Sequence, residues 1–348
     1  VYRVFAFRTG HLAAWSYLVS SLFWMARNRH KFQLIHTHSS SSGLVGGLIG
    51  FMLRKKVVCK LARGDEVDAK GLRTTLLGRI KLYCLKHTLD RFVAITNGIE
   101  EELKDLGIPS RKVVRIPNGI NLDGFSKSYD REQIKSEIGW TSETKIVTFV
   151  GRLVLDKGVD WLLEVWKEVA QRRREGRLLI VGDGPERSAL EAQARALGIT
   201  ETVAIVGRQE DVYRFLAITD IFVLPSRQEG VANALLEAMS QGIPVVVADD
   251  RLGGSREVVD DQKDGYVVRL GDTATFAEIV SILLQDPGLR KQIGRKARQK
   301  IEEKFSIKSV ADRHCKIYDE LVGIPGELTY VNPIQTSSER EQSEVSGR

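Results

Sequence analysis

The sequence has few cysteines, and they are far apart. Cys59, Cys84 and Cys315 are the three cysteines among 348 residues, and no two of them form a CxxC pair. This spacing is typical neither of a disulfide framework nor of a zinc site. The cysteine usage therefore favours a cytoplasmic protein whose thiols stay reduced.

Long apolar runs are also missing. The longest apolar stretch, LAAWSYLVSSLFWMA, covers residues 12–26 and contains polar positions. It is shorter than the roughly 20 apolar residues that a membrane-spanning helix needs. We therefore expect it not to cross a membrane, and interpret it either as an amphipathic helix at a bilayer surface or as an ordinary core helix.

The composition is that of a globular enzyme. Hydrophobic residues make up 43% of the chain and charged residues 28%, and 348 residues are enough for two domains with their own cores.

Positive charge is concentrated in the first part of the chain. Residues 1–140 contain 23 lysines and arginines against 12 aspartates and glutamates, whereas residues 141–348 contain 29 against 33. Such a bias fits an anionic membrane surface, nucleic acid or a merely solvated face. Because no nucleic-acid-binding motif is present, we expect no nucleic-acid partner.

From residue 145 onwards, short β-branched segments alternate with amphipathic ones. Strands apolar on both faces and joined by helices predict a parallel sheet covered on both sides. The earlier part of the chain repeats the pattern, so the predicted fold class is α/β, with two Rossmann-like doubly wound domains and a cleft between them. The predicted strands are FQLIHTHS, KKVVCKLARG, RFVAIT and KVVRIPNG in the first domain, and KIVTFVG, LLIVG, VAIVG, IFVLPS and PVVVA in the second.

The domain boundaries are predicted in polar, turn-rich segments. The terminal segment is rich in Ser, Glu, Gln and Pro and is expected to be disordered. The predicted parts are a first domain at residues 1–124, a connector at 125–143, a second domain at 144–304, a helix at 305–322 and a tail at 323–348.

Two carboxylates follow the predicted strand IFVLPS. Glu229 lies in the loop after it, and Glu237 lies eight positions later, in a helix that begins near Ala232 or Asn233. A helix start can hold a phosphate through its free backbone N–H groups, and a carboxylate accepts hydrogen bonds from the vicinal hydroxyls of a sugar. The alternative is that Glu229 caps the helix and Glu237 is a surface residue.

Two cations follow the first strand of the same predicted sheet. In GRLVLDKG, Arg152 and Lys157 come shortly after Gly151, which lets the backbone turn. An arginine and a lysine at one sheet edge are suited to neutralising a diphosphate. By themselves, such loop residues are more often simply solvated.

The segment VGDGPER, residues 181–187, is a weak match to a dinucleotide-binding motif. Arg187 stands where the motif requires its third glycine. Gly184 is therefore either beside a ligand or an ordinary turn glycine.

Together these segments resemble the GT4 family of retaining glycosyltransferases, which have the GT-B fold. The resemblance is carried by GRLVLDKG, VGDGPE, VGRQEDV, DIFVLPSRQEGVANALLEAMSQGIPVVVA and GG…E…DG, and it runs from about His36 to Leu321. It implies that the first domain lies on the acceptor side, that the second binds a nucleotide-diphosphate sugar, and that the last helix crosses back onto the first domain.

The resemblance also implies roles for single residues. Arg152 and Lys157 would bind the diphosphate, and Glu229 would lie beside the donor sugar. Arg152, Lys157 and Glu229 are the predicted catalytic residues. His38, at a strand end by the cleft, would contact the acceptor or sugar, or be structural. The predicted donor-binding residues are Gly151, Gly184, Gly207, Arg208, Gly230, Val231, Ala232 and Glu237, the last holding the ribose hydroxyls.

Two features depart from the family. Arg63-Gly64 stands where the family has His-Gly, so Arg63 could pair with the carboxylate of a uronic-acid donor, or reflect drift or a shifted alignment. The chain begins at Val1 and reaches the strand containing His36 early. We therefore expect the first sheet to lack its first strand and glycine-rich loop, because the chain is a fragment or the sheet is eroded.

The implied function is transfer of a sugar from a nucleotide-diphosphate sugar to a hydroxyl of a glycan or lipid-linked acceptor, as in polysaccharide, lipopolysaccharide or glycolipid synthesis for the cell envelope. The expected location is the cytoplasm, with peripheral contact at the inner face of an anionic membrane as one option. The alternative is a non-catalytic subunit that binds a nucleotide sugar or a partner.

No D-x-D triplet occurs in the chain, and the resemblance implies that basic residues replace a bound metal and that no cofactor is needed. We therefore expect sugar transfer to continue in EDTA, measured as release of the nucleoside diphosphate. Loss of turnover on chelation, with recovery on adding Mg²⁺ or Mn²⁺, would contradict this prediction.

Overall fold

The computed structural model describes residues 11–61, 69–122 and 127–323, which form two parallel β-sheets flanked by helices. The elements of the first half are, in chain order, α1 (His11–Arg27), β1 (Leu34–His38), α2 (Ser40–Leu53), β2 (Lys56–Leu61), α3 (Ala69–Thr74), α4 (Leu76–Thr88), β3 (Arg91–Ala94), α5 (Asn97–Asp105) and β4 (Val113–Arg115).

The second half begins with a short helix and continues as alternating strands and helices. Its elements are α6 (Arg131–Glu137), β5 (Lys145–Val150), α7 (Val159–Arg172), β6 (Gly176–Val181), α8 (Arg187–Ala196), β7 (Val203–Ile205), α9 (Tyr213–Leu216), β8 (Ile221–Leu224), α10 (Asn233–Ser240), β9 (Val245–Asp249), α11 (Gly254–Val258), β10 (Tyr266–Arg269), α12 (Thr273–Gln285), α13 (Pro287–Lys304) and α14 (Ile307–Val322).

The first sheet has the strand order β1-β2-β3-β4, and every pair is parallel. Successive side chains of a strand point to opposite faces, and both faces are covered here. Val57 and Cys59 of β2 belong to the core that includes side chains of α2, α4 and α5. Val58 belongs instead to a core shared with Val310 and Ile317 of α14.

Helix α14 therefore packs on the first sheet although it ends the described chain. The backbone between α13 and α14 pairs with the segment after β4: Ile120 N donates to Phe305 O at 2.8 Å, and Ile307 N donates to Ile120 O at 2.8 Å. These two bonds and the packing of α14 connect the two halves.

The second sheet is parallel and has the order β10-β9-β8-β5-β6-β7. The chain builds one side from β5 to β7 and then returns beside β5 with β8, where Thr148 is in register with Phe222. Strand β8 is buried at all four positions, as expected for a central strand with helices on both faces. Because the strand order reverses between β5 and β8, a crevice opens there at the carboxyl edge.

The predicted fold class, α/β with two parallel sheets, is confirmed, and all nine predicted strands are present. Strand β10 was not predicted. The stretch 12–26 lies within α1. Across residues 11–61, 69–122 and 127–323, no helix combines the length and apolar character needed to cross a membrane.

Several expectations concern residues outside the described ranges. The described part of the first sheet has four strands, while residues 1–10, which bear on the expected missing strand, are outside. Residues 324–348, nearly all of the expected tail, are outside as well. The domain boundaries stay predictions.

The central position of β8 predicts a large stability difference between two phenylalanines. Phe222 is 0% exposed, whereas Phe51 is 73% exposed. We expect Phe222→Ala to lower the free energy of unfolding by about 3–5 kcal/mol, and Phe51→Ala to change it by about 0.5 kcal/mol or less. Urea unfolding followed by circular dichroism measures both, and equal effects would contradict the assigned core.

Candidate active site

The loops that follow β5 and β8 meet where the strand order reverses. Arg227 N donates to Asp156 O at 2.8 Å, which joins the two loops directly. They border an open cleft of about 560 Å³. The predicted site residues that line this cleft are Gly151, Arg152, Lys157, Glu229, Gly230, Val231 and Ala232.

Lys157 and Glu229 form an ion pair in the cleft. The Lys157 ammonium donates to Glu229 Oε2, and the two side chains are 18% and 13% exposed. Ser226 Oγ donates to the same oxygen at 3.2 Å. Lys157 is therefore not a freely solvated loop residue, because its charge is held against the cleft wall.

Arg152 lies in the same cleft but is exposed. Its guanidinium forms no hydrogen bond or ion pair with the part of the chain that the structure describes. Among the described residues, the cleft thus contains one cation that is already paired, Lys157, and one whose five donors have no partner there and could serve a ligand, Arg152.

The start of α10 forms another part of the cleft wall. The N-cap residue is Ala232, which has no side-chain oxygen, and no side chain caps the helix. The alternative that Glu229 caps this helix is therefore wrong. Asn233 and Ala234, the first two residues of the helix, line the cleft. A helix start without a side-chain cap leaves backbone N–H groups available for an anion.

Asp250, which was not predicted from the sequence, holds the loop that contains Glu229 through hydrogen bonds to its backbone. Its buried carboxylate accepts from four backbone N–H groups: Oδ1 from Glu229 at 3.2 Å, Leu252 at 3.0 Å and Gly254 at 3.3 Å, and Oδ2 from Ser255 at 2.8 Å. The sequence contains a sign of this role, because Asp250 comes shortly after the predicted strand PVVVA, as Glu229 comes shortly after the predicted strand IFVLPS.

Gly254 lets two loops approach closely beside Asp250. A Cβ atom at position 254 would lie 1.7 Å from Gly230 O. Only glycine fits at such a distance, so the position of Gly230 in the cleft wall depends on the missing side chain at 254.

A second ion pair fixes the loop after β8 from the side. Arg227 Nη1 donates a hydrogen bond to Asp160 Oδ1 at 2.7 Å, and Arg227 Nη2 donates one to Asp160 Oδ2 at 2.6 Å. Burial alone would raise the pKa of the Asp160 carboxyl, but the hydrogen bonds and charge of Arg227 outweigh it and hold that pKa below its ordinary value. This bidentate geometry constrains the loop on which Glu229 lies.

Glu237 does not line the cleft that contains Glu229. It lies further along α10, where it is half-buried, and burial raises the pKa of its carboxyl. Burial raises the pKa of Tyr213, and the charge of Glu237 contributes to that rise. Glu237 is therefore partly buried and partly exposed, and its contact with ribose stays a prediction.

Three other predicted donor-binding residues also lie outside this cleft. A Cβ atom at Gly184 would lie 2.3 Å from Leu153 O, so this glycine is needed for packing between two loops. Gly207 has a φ of +73° and accepts at its carbonyl from Gly182 N at 2.9 Å. Arg208 is exposed beside it. Their contacts with the donor stay predictions.

His38 and Arg63 are the two residues of the first domain that were predicted to contact the acceptor or the sugar. His38 is exposed at the end of β1, and its ring stacks on His36 at 4.9 Å between centroids. Burial, aided by the charges of His38, His314 and Lys60, lowers the pKa of His36 to about 4. Arg63 lies outside the described residues.

The first domain contributes Asn118 to the cleft, in the segment PNGIN. Asn118 Nδ2 donates to Val231 O at 3.4 Å. Glu257 of α11 provides a second contact between the halves, because its Oε1 accepts from Asn97 N at 2.6 Å and its Oε2 lies 3.4 Å from Arg115 Nη1. The cleft is therefore bordered by both halves.

Within the described ranges, His, Cys, Asp and Glu side chains form no cluster of three or more that could hold a metal ion. Metal independence stays a prediction that the EDTA experiment tests.

Two family models match consecutive parts of the chain. Residues 130–300 match the family described as glycosyl transferases group 1, and residues 1–123 match the glycosyltransferase family 4 model. Between them the models cover both sheets.

Curated relatives extend over most of the chain. It is 26% identical, over 84% of its length, to 77% of the Escherichia coli UDP-Gal:alpha-D-GlcNAc-diphosphoundecaprenol alpha-1,3-galactosyltransferase. It is 30% identical, over 66% of its length, to 64% of the lipopolysaccharide core biosynthesis glycosyltransferase LpsE of Rhizobium meliloti.

Solved structures share the fold. HepE of Anabaena in complex with UDP-glucose superimposes with a TM-score of 0.74 at 19% identity, covering 87% of this chain and 82% of HepE. A glycosyltransferase from Rickettsia africae gives a TM-score of 0.78 at 18% identity, covering 93% of this chain and 85% of that protein. The predicted GT-B architecture is thereby confirmed.

The contacts of Asp250 predict a specific defect. Asp250→Asn replaces one accepting oxygen by an amide nitrogen, which cannot accept a backbone N–H. We expect a loss of about 1–3 kcal/mol in the free energy of unfolding and weaker UDP binding, measured by urea unfolding and calorimetry.

The matched control is Asp249→Asn. The Asp249 carboxylate pairs with Arg256 at 2.6 Å, and its hydrogen bonds to Arg256 do not involve the loop that contains Glu229. If both variants bind UDP as the unchanged protein does, Asp250 does not organise the site.

Proposed function

The chain belongs to the GT4 family of glycosyltransferases, and from this premise we propose that it transfers a sugar, with retention, from a nucleotide-diphosphate sugar to a hydroxyl of a glycan or lipid-linked acceptor. The observation that carries the proposal is the grouping of Arg152, the Lys157–Glu229 ion pair and the uncapped start of α10 around one cleft.

The cations are proposed to act on the leaving group. Negative charge develops on the diphosphate as the bond to the sugar breaks, and preorganised cations and backbone N–H groups stabilise it. Arg152 has no hydrogen-bond partner among the residues that the structure describes, and the first residues of α10 line the same cleft. The ion pair with Glu229 already fixes the position of the Lys157 ammonium in the cleft. Lys157 therefore needs little reordering to contact a phosphate that binds there.

Glu229 is proposed to have two roles. Its carboxylate orients Lys157, and it accepts hydrogen bonds from hydroxyls of the donor sugar. In the retaining reaction that the family implies, the leaving phosphate takes the proton of the acceptor hydroxyl, so the cleft needs no separate protein base. Gly151, Gly230, Val231 and Ala232 are proposed to present backbone groups to sugar and phosphate.

A UDP-sugar is the donor we propose first. HepE, which shares the fold, binds UDP and UDP-glucose, and the Escherichia coli relative is named for UDP-Gal. A uronic acid as the transferred sugar stays a hypothesis that rests on Arg63 alone.

A lipid-linked or lipopolysaccharide acceptor is supported by the relatives. The Escherichia coli relative is named for a diphosphoundecaprenol acceptor, and LpsE for the lipopolysaccharide core. We propose an acceptor of this chemical class, used in cell-envelope polysaccharide synthesis at the cytoplasmic face of the membrane.

The proposal is tested by a donor screen followed by turnover. Thermal shift with UDP-glucose, UDP-galactose, UDP-glucuronate, GDP-mannose and ADP-glucose identifies the donor, and hydrolysis or transfer is then followed by release of the nucleoside diphosphate. We expect a UDP-sugar to stabilise the protein. Equal turnover of neutral and uronic donors would contradict the proposed role of Arg63.

Substitutions then test the roles of the cleft residues. We expect Arg152→Ala and Glu229→Gln each to lower turnover about 10- to 100-fold, as for loss of one charge-assisted contact. Arg174→Ala is the matched control, because Arg174 is exposed beyond the end of α7, away from the cleft. Donor binding without turnover in any acceptor mixture would favour the non-catalytic alternative, and unchanged activity of Arg152→Ala would exclude the proposed site.

A further inference from the structure

Helix α4 exposes an apolar face to solvent. Leu76 is 75% exposed, Ile80 53% and Tyr83 64%, and their spacing places them on one side of the helix together with His87. Leu77, beside them, is 80% exposed. Gly78 and Leu85, on the opposite side, are buried against the first sheet. The apolar side chains on the exposed side of α4 therefore do not belong to the protein core.

The exposed apolar side chains are concentrated in the first domain. Of the eleven large hydrophobic residues that are exposed among the described residues, eight lie between residues 19 and 83. Besides those of α4, they are Val19 and Phe23 of α1 and Phe51 and Met52 of α2. Helix α2 contacts both α4 and α1, so these side chains lie on neighbouring helices. Scattered apolar residues are ordinary, whereas such a group marks an interaction surface.

The charge of the same elements is of one sign. Residues 11–61 and 69–89, which include α1, α2 and α4, contain twelve lysines and arginines and no aspartate or glutamate. On α4, helical spacing places Arg79 and Lys86 along one side of the apolar face. Apolar side chains bordered by lysine and arginine are suited to a surface that is apolar inside and anionic outside.

The exposed face also has a defined relation to the cleft. Helix α4 follows the carboxyl end of β2, and Lys81 Nζ donates to Ser40 Oγ at 3.1 Å, where α2 begins after β1. Leu76 and Leu77 are therefore at the end of α4 that lies nearer the carboxyl edge of the first sheet, the edge that borders the cleft.

We propose that the exposed face of α4 docks the enzyme on an anionic lipid bilayer. Leu76, Leu77, Ile80 and Tyr83 enter the interface, and Arg79 and Lys86 contact the headgroups. This docking deepens the proposed function, because it brings the acceptor side of the cleft to a lipid-linked substrate, but it does not require that substrate to bind.

The test is co-sedimentation of the full chain with vesicles. One set of vesicles is phosphatidylcholine alone and the other is equimolar phosphatidylcholine and phosphatidylglycerol, neither containing a sugar acceptor. We expect sedimentation with the anionic vesicles at low salt and its loss at high salt or with neutral vesicles. No sedimentation, or equal sedimentation with both vesicles, overturns the proposal.

Two pairs of variants locate the surface. The double variant Leu76→Ser/Leu77→Ser is expected to weaken binding to the anionic vesicles about tenfold or more. Its control is Ile282→Ser, at a residue 45% exposed on α12 of the second domain, which leaves vesicle binding unchanged. Arg79→Glu is expected to weaken it about fivefold or more, and Arg174→Glu much less. If the α4 variants partition as their controls do, α4 is not the docking surface.

Two further measurements separate this proposal from others. The thermal shift caused by UDP reports the donor site and the fold of each variant without vesicles, so failure of the proposed function and failure of docking are distinguishable. A dimer in solution that Leu77→Ser dissociates, combined with no vesicle binding, would assign the face to a second copy of the chain and overturn bilayer docking.

Discussion

The reversal of strand order between β5 and β8 is the constraint on which the site depends. In a parallel sheet every strand ends at the same edge, and where the order reverses a crevice opens beside the loops that follow the two neighbouring strands. Lys157 comes from the loop after β5 and Glu229 from the loop after β8, so the ion pair forms across this crevice. The loop after β9 then supplies Asp250, whose carboxylate holds the backbone of Glu229.

Rigidity around the crevice is provided by groups that need not touch a substrate. Asp250 binds four backbone N–H groups, Asp160 holds Arg227, and Gly254 permits close contact with Gly230. A preorganised site of this kind avoids reordering its own dipoles during the reaction. Arg152 differs, since it is exposed and has no partner among the described residues, and it is therefore the cation most available for the diphosphate.

The two domains present different surfaces. The second domain contributes most of the cleft wall, and its exposed apolar residues are isolated from one another. The first domain contributes Asn118 to the cleft and carries the exposed apolar side of α4, a helix that has no acidic residue. The proposed sugar transfer and the proposed attachment to a bilayer thus involve separate parts of one chain.

The sequence by itself determined the class of fold, nine of the ten strands in the described residues and the strand-end positions of Gly151, Arg152, Lys157 and Glu229, because apolar periodicity and strand-end position are local properties. Only the tertiary structure decided which loops meet. It separated Glu237 from the cleft of Glu229, showed that Ala232 leaves α10 uncapped, and brought Asp250 beneath the loop. It also turned the apolar side of α4 outwards. Strand order and helix facing depend on contacts between residues far apart in sequence, and no local pattern records them.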